Sequence, residues 1–280
     1  MNRERGASVD VDKLSDTIKE DIEVDRASRL IPYSMKEEHY HPHTELYYLV
    51  EGETKYFIAG EVYAMKAGDL AIIPKGILHR TINENGRRCV RINVTFKECV
   101  VSEPRLVEGM APRIIRSQEL GDDVRRIIFK MEEEFEGRRD FSQTVLRAYL
   151  DQFLVLIHRL GSTPKPESGV SPADRPIVDA ARYINEHYGE ELTLEGLAKR
   201  FAMSPGHFSK KFKSVTGFGL CKYITQVRIL NAEKLLRHTR CSITDISMRC
   251  GFSDSNYFAA VFKEKNKIPP YKYAKMHRGE

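Results

Sequence analysis

The sequence predicts a two-domain α+β chain, with an N-terminal antiparallel β sandwich or barrel, helices behind it, and an all-α C-terminal domain. Three observations predict this. Short β-rich runs alternate with turn residues over 30–100, apolar residues recur at helical spacing from residue 122, and the last 105 residues contain a helical segment that repeats itself. A chain of 280 residues also exceeds the usual size of one domain, about 150 residues.

The β-rich runs are ELYYLVEG, TKYFIAG, EVYAM, DLAIIP and CVRINVTF, separated by glycine and charged turns, and they assign residues 1–120 to the first domain. The pattern turns helical with DDVRRIIFKMEEEFEG and then FSQTVLRAYLDQFLVLIHRL. In the second helix Val145, Leu146, Tyr149, Leu150, Phe153, Leu154, Ile157 and Leu160 recur at three and four, a broad apolar stripe that must pack on something. The expectation is that 121–161 are dimerisation helices and that the protein is a homodimer. The stretch GSTPKPESGVSPADRP, rich in Pro, Gly and Ser, supplies a linker at 162–175, which leaves 176–280 as the second domain.

Composition excludes several classes. With 41% hydrophobic and 30% charged residues and no apolar run near the ~18 residues a span needs, no membrane role is expected. The opening MNRERGASVDVDKLSD lacks the apolar stretch of a signal peptide, so the expected location is cytoplasmic. Five cysteines, odd in number and without C-x-x-C spacing, suggest neither a disulfide framework nor a zinc ribbon. The net charge of +5 is unevenly placed. Residues 175–280 hold 19 Lys and Arg against 10 Asp and Glu, leaving 26 against 30 upstream, so a polyanion would meet the C-terminal half.

That half carries clear helix starts: Thr193 before LEGLAKRF, Ser204 with Pro205 before HFSKKFKSV, and Ser242 before ITDISMRC. Each hydroxyl can accept from an orphan backbone N–H, and Asp245 completes a capping-box spacing. The repeat has an offset of 50: Phe208 with Phe258, Phe212 with Phe262, Lys213 with Lys263, Tyr223 with Tyr273. Each copy reads as helix, tight turn (AMSP or GFSD, with Gly251 suited to a left-handed position) and second helix. The paired phenylalanines hold each second helix down, and its opposite face can enter the major groove of duplex DNA. On that face lie Gly206, His207, Ser209, Lys210 and Lys213 in the first unit and Ser255, Asn256, Ala259 and Lys263 in the second. Asn256 can pair bidentately with adenine, while the lysines can reach guanine or phosphate. Between the units, CKYITQVRILNAEKLLRHT reads as a helix of about 19 residues, ~28 Å long, comparable with one turn of DNA at ~34 Å.

These residues resemble the AraC/XylS family of transcription regulators. The resemblance runs from Ile177 to Tyr273 and is carried by YINEHYGEELTLEGLAKRFAMSPGHFSKKFKSVTG, by Tyr223, Arg228, Ala232, Leu235 and Leu236, and by ITDISMRCGFSDSNYFAAVFKEKNKIPPYKY. It implies binding of double-stranded promoter DNA by both units and activation through RNA polymerase. The chain departs from the family pattern at Lys267, where glycine is common, at Leu220, where proline is, at Ala274, where arginine is, and at Ala260, where a longer polar residue is.

Upstream, His39, His41 and Glu45 precede Gly52, and Gly68, Pro74, Gly76, His79 and Asn83 follow. On one strand His39, His41 and Glu45 would share a face, with His79 joining from a later strand. The two spacings resemble the paired cupin motifs, apart from Tyr33 where the first usually begins with glycine, and imply a small jelly-roll barrel. His39, His41, Glu45 and His79 could bind a divalent transition metal such as iron, manganese, nickel or zinc. Equally, with Tyr47 and Tyr56, they could line a metal-free pocket for a small-molecule effector such as a sugar. The leading reading is a ligand-responsive, sequence-specific regulator, an activator of metabolic and carbohydrate-utilisation genes, and not an enzyme. The rival is a metal-dependent cupin enzyme, a dioxygenase or isomerase, fused to a helical domain.

Overall fold

A computed structural model describes residues 18–29, 41–82, 88–161 and 170–278. Among the described residues eight strands come first: β1 Ile22–Arg29, β2 Thr44–Glu51, β3 Glu53–Ile58, β4 Glu61–Lys66, β5 Leu70–Ile73, β6 His79–Ile82, β7 Cys89–Phe96 and β8 Arg113–Ile115. All paired strands are antiparallel and form two sheets, β1-β7-β2-β5-β8 and β4-β3-β6. Helices follow: α1 Asp122–Gly137, α2 Ser142–Arg159, α3 Arg175–Glu186, α4 Leu194–Arg200, α5 Pro205–Thr216, α6 Leu220–His238, α7 Ile243–Arg249, α8 Ser255–Asn266 and α9 Pro270–Arg278. The five β-rich runs are β2, β3, β4, β5 and β7. No β-rich run covers β1, β6 or β8, though β6 is the later strand expected to carry His79.

Three layers of side chains hold the N-terminal half together. Leu46, Tyr48, Ile92, Val94 and Phe96 on one face of the large sheet pack against Val124, Ile128, Met131, Leu146, Leu150, Phe153, Leu154 and Ile157 of α1 and α2. Tyr47, Leu49, Tyr56, Ile58, Met65, Ala71 and Ile73 fill the space between the sheets. Because successive strand residues point to opposite faces, Phe57 and Val62 leave that interior and enter a core shared with Ile177, Ala181, Ile184, Phe208, Phe212, Tyr223 and Val227 of the C-terminal helices. The three-stranded sheet is therefore a wall with the barrel interior on one side and the helical domain on the other.

This packing shows what covers much of the apolar stripe of α2. Leu146, Leu150, Phe153, Leu154 and Ile157 are at most 1% exposed, buried against the chain's own sheet. These five stripe residues are covered intramolecularly; helical periodicity reports an apolar face without saying what covers it.

In the C-terminal half the hydroxyls of Thr193, Ser204 and Ser242 accept from the backbone N–H of Gly196, His207 and Asp245. Asp254 performs the same service for α8 through Asn256 N–H. The Ser242 hydroxyl also donates to Asp245 at 2.7 Å, so this capping pair closes through its side chains. Gly251 adopts φ +80°, and a Cβ there would lie 2.7 Å from the Tyr188 carbonyl oxygen. Polar links fasten the wall to the helices: the Arg182 guanidinium forks onto Glu61 at 2.8 and 3.1 Å, and Asn185 Nδ2 donates to the Ala59 carbonyl at 3.1 Å.

Candidate functional site

Inside the barrel, Glu45 is the hub. It sits on β2, which begins at Thr44, so His41 of the expected strand-face trio precedes the strand. His41 reaches Glu45 from the preceding loop, so the parity argument does not apply to it. His39, Tyr33 and Asn83 lie outside the described residues. His41 Nε2 lies 3.0 Å and His79 Nε2 3.5 Å from Glu45 Oε2. Tyr56 OH donates to Glu45 Oε1 at 3.2 Å, and Asn93 Nδ2 donates to the same oxygen at 2.9 Å. Burial pushes the Glu45 carboxyl up, but the hydrogen bonds from His41 and His79 outweigh it and hold the group well below the usual range. Burial, then the Glu45 carboxylate, push the Tyr56 phenol well above its ordinary value, so it stays a donor. Tyr47 joins from β2, its ring centroid 4.9 Å from that of Tyr56.

The orientation of the two imidazoles bears on what the cluster can hold. His41 Nδ1 lies 2.8 Å from the His43 carbonyl and His79 Nδ1 2.7 Å from the Ile77 carbonyl. Carbonyls only accept, so both Nδ1 atoms carry hydrogen and both Nε2 atoms face the carboxylate. A nitrogen lone pair and a carboxylate oxygen repel at that range unless a positive charge, proton or metal ion, stands between them. Among the described residues, His41, Glu45 and His79 form one group whose candidate ligand atoms lie within 4.8 Å of one another. Nδ1–H bonds to carbonyls are also how metal-ligating histidines are aimed.

Asn93 and Arg91 of β7 are members of this interior that the sequence reading missed. Their strand, CVRINVTF, alternates polar and apolar residues, and that alternation was an available signal. The Arg91 guanidinium carbon is 5.8 Å from the Tyr47 ring centroid.

The second candidate surface is on α5 and α8. Phe208 and Phe212 are fully buried, while Gly206, His207, Lys210 and Lys213 are exposed and Ser209 is half-buried. In α8, Phe258 and Phe262 are fully buried, Asn256 and Lys263 are exposed, and Ser255 and Ala259 are half-buried. Both second helices thus present the expected polar side to solvent. Tyr257, 56% exposed, joins that side and had not been anticipated. The linking helix α6 has 19 residues.

The cysteines supply no reactive thiolate in the buried positions. Burial raises the Cys250 thiol to about 11 and also raises Cys89, opposite to what nucleophilic or redox-sensing thiols need. Among the described residues no helix is long and apolar enough to cross a membrane.

Comparison with known proteins agrees with both halves. The family model for a helix-turn-helix domain matches residues 197–276, and that for a cupin domain matches residues 28–95. The HTH-type transcriptional activator RhaS of Escherichia coli strain SE11 is 26% identical over 250 residues, which cover 86% of this chain and 88% of that protein. Among solved structures, the C-terminal domain of the two-component response regulator yesN from Fusobacterium nucleatum is 32% identical, covering 37% of this chain and 99% of that one, with a TM-score of 0.34. The DNA-binding domain of AdpA in complex with a target DNA is 28% identical over 37% of this chain and 94% of its own, TM-score 0.36. ToxT from Vibrio cholerae O395 is 13% identical over 93% of this chain and 99% of its own, TM-score 0.38, too low to carry any argument about geometry. With a cupin domain followed by a helix-turn-helix domain, and a transcriptional activator aligned along most of the chain, the protein has the domain pair expected from the AraC/XylS resemblance and is a DNA-binding transcription regulator.

Proposed function

We propose that a small polar molecule binding inside the barrel changes how the C-terminal helices engage promoter DNA, and that the protein acts as an activator. The observation that carries this reading is the shared wall. Tyr56 and His79 face the Glu45 cluster, while their immediate neighbours Phe57 and Arg80 face the helical domain. Phe57 packs 6.3 Å from the Tyr223 ring, and Arg80 Nη1 lies 3.5 Å from the Lys213 carbonyl of α5. A ligand that shifts the inner residues of β3 or β6 therefore has one peptide unit to cross before it reaches a recognition helix. Such coupling requires the ligand to prefer one arrangement, typically by ~1–3 kcal/mol.

In this reading Lys210, Lys213 and Lys263 engage phosphate or guanine, Asn256 reads adenine, and Gly206, His207, Ser209, Ser255 and Ala259 line the groove contact. Activation through RNA polymerase follows from the family resemblance and from the relative named as an activator. A homodimer formed through α1 and α2 is part of this reading, and sedimentation showing a monomer at micromolar concentration removes it.

His41, Glu45 and His79 are the residues that would hold a divalent transition metal. Two imidazole nitrogens and a carboxylate oxygen suit such an ion, which would supply a fixed positive charge and a binding point for an oxygen-bearing ligand. Elemental analysis of untagged protein beside a His41→Ala/His79→Ala variant tests this: about one ion per chain, lost in the variant, is expected, and none in either overturns it. The regulatory reading itself is tested by binding to the DNA upstream of its own gene across a range of salt. Salt-sensitive binding that responds to a barrel ligand is expected, and no such binding overturns it.

A further inference from the structure

Of the three lysines on α5, Lys210 and Lys213 are exposed, whereas Lys211 borders the barrel and its side chain is only 29% exposed. Its Nζ lies 2.6 Å from Oδ1 of Asp174, the residue just before α3, where the chain enters the helical domain. The Ser171 hydroxyl fixes that carboxylate from the other side. It donates to Asp174 Oδ2 at 2.7 Å and accepts from the Asp174 backbone N–H at 3.2 Å. Burial pushes the carboxyl up, but Lys211, Ser171 and the charge of Lys55 on β3 hold it below its ordinary value, so it is ionised at neutral pH.

Position on the helix decides what Lys211 would meet without Asp174. It lies four residues after His207 and three before Ser214, both exposed, so the three share one edge of α5. That edge runs between the polar side, with Lys210 and Lys213, and the buried side, with Phe208, Phe212 and Val215. When a helix lies in the major groove, the side pointing inward meets base edges and its flanks meet the phosphates of the groove walls. Lys211 is thus a phosphate ligand by position, already engaged by a carboxylate. A cavity of about 140 Å³ borders the pair, lined in part by Lys55, Val62, Ile82 and Ser214, and gives the lysine stem room to swing away without displacing the core. An ion pair this exposed is worth about fivefold or less in an equilibrium, so a modest rearrangement releases it.

We infer that Asp174 stands in for DNA phosphate: it holds Lys211 and withholds one backbone contact from α5 until the barrel and the helices shift. The restraint sits where the outer face of β3, the end of the linker and a recognition helix meet. This inference rests on the reading that α5 enters the groove, and it needs neither a ligand nor a metal inside the barrel.

The test measures the affinity of the full-length protein for duplex DNA from upstream of its own gene at several salt concentrations. Each phosphate contact steepens the fall of log K with log salt by about 0.9. In Asp174→Asn the fall is expected to steepen by that amount, which makes the gain over the unmodified protein about 3.5-fold larger at 50 mM salt than at 200 mM. Lys211→Gln alone is expected to leave the slope unchanged, and Asp174→Asn/Lys211→Gln to lose the steepening. An unchanged slope in Asp174→Asn overturns the proposal. A slope already shallower by about 0.9 in Lys211→Gln also overturns it, because the lysine would then be on phosphate despite Asp174. A gain that survives in the double variant does so too, because it reports the loss of a repelling charge and not the release of Lys211. The Lys211→Gln arm leaves Asp174 in place, so it decides the matter even where Asp174→Asn fails to fold. If Lys213→Ala leaves the slope unchanged as well, α5 does not engage DNA, and the reading of that helix falls instead.

Discussion

Phe57→Ala tests whether the barrel wall and the helical domain share one core. Phe57 belongs to β3, yet it is completely buried among helical-domain residues, its ring 6.3 Å from that of Tyr223 at 61°. Replacing a buried phenylalanine by alanine costs about 3–5 kcal/mol. The wall's polar links remain in the variant, and Arg182 and Glu61 are partly solvent-exposed, so they offset little of that loss. The lower end, about 3 kcal/mol, shifts the balance between docked and undocked helices by roughly a hundredfold at 1.4 kcal/mol per decade. With no tryptophan in the chain, hydrogen exchange read by mass spectrometry is the suitable assay. Protection should fall most in α3, α5 and α6 and least in the β2–β7 pair, whose outer core is covered by α1 and α2. A loss below about 1 kcal/mol, or one confined to the barrel strands, refutes the shared core.

Three further outcomes are expected. Asn256→Ala should relax base choice at one operator position by about 1–3 kcal/mol, whereas Lys213→Ala should weaken all sequences alike; competition binding against base-substituted operators distinguishes them. Lys267→Gly should raise stability by about 1 kcal/mol in urea denaturation, because Lys267 sits at φ +62° where the matching position of the first unit is Gly217 at φ +87°. Finally, burial pushes the Asp174 carboxyl up, but hydrogen bonds from Lys211 and Ser171 outweigh it and lower it from its ordinary 3.8. A carboxyl lowered on folding adds stability that is fully present above its unfolded value and is lost as pH falls through the folded one. The Asp174–Lys211 tie should therefore persist at neutral pH and loosen below about pH 4, and Asp174→Asn should flatten that acid limb of the stability profile.

The legible parts of this sequence were those whose signal is local. Strands β2 to β5 and β7 announce themselves by β-branched and aromatic runs between turns, and Thr193, Ser204 and Ser242 mark helix starts because capping needs only a side chain and the next turn. β6 is four residues long, too short for alternation to register, and β1 alternates Ile22 and Val24 with charged residues in a stretch the sequence reading left unassigned. What the sequence could not show was which partner covers each face. The α2 stripe was apolar as expected, and what covers much of it is the large sheet of the same chain. Arg91 and Asn93 looked like the wet side of an alternating strand, whereas both sides of β7 are covered, one by helices and the other by the barrel interior. His41 converges on Glu45 through a loop, a contact that strand parity could neither predict nor forbid.

The wall of β4, β3 and β6 also sets where this protein can be cut and recombined. A designer guided by the Pro-rich linker would join a foreign sensor at 162–175 and expect both parts to work. The helical half would then expose the apolar seat that Phe57, Val62, Leu78 and Ile82 now fill, and would be prone to aggregate. A transplantable reading head must therefore bring this seat already filled, by carrying a matching outer sheet face from the donor or by having Tyr223, Val215 and their neighbours recoded as polar surface.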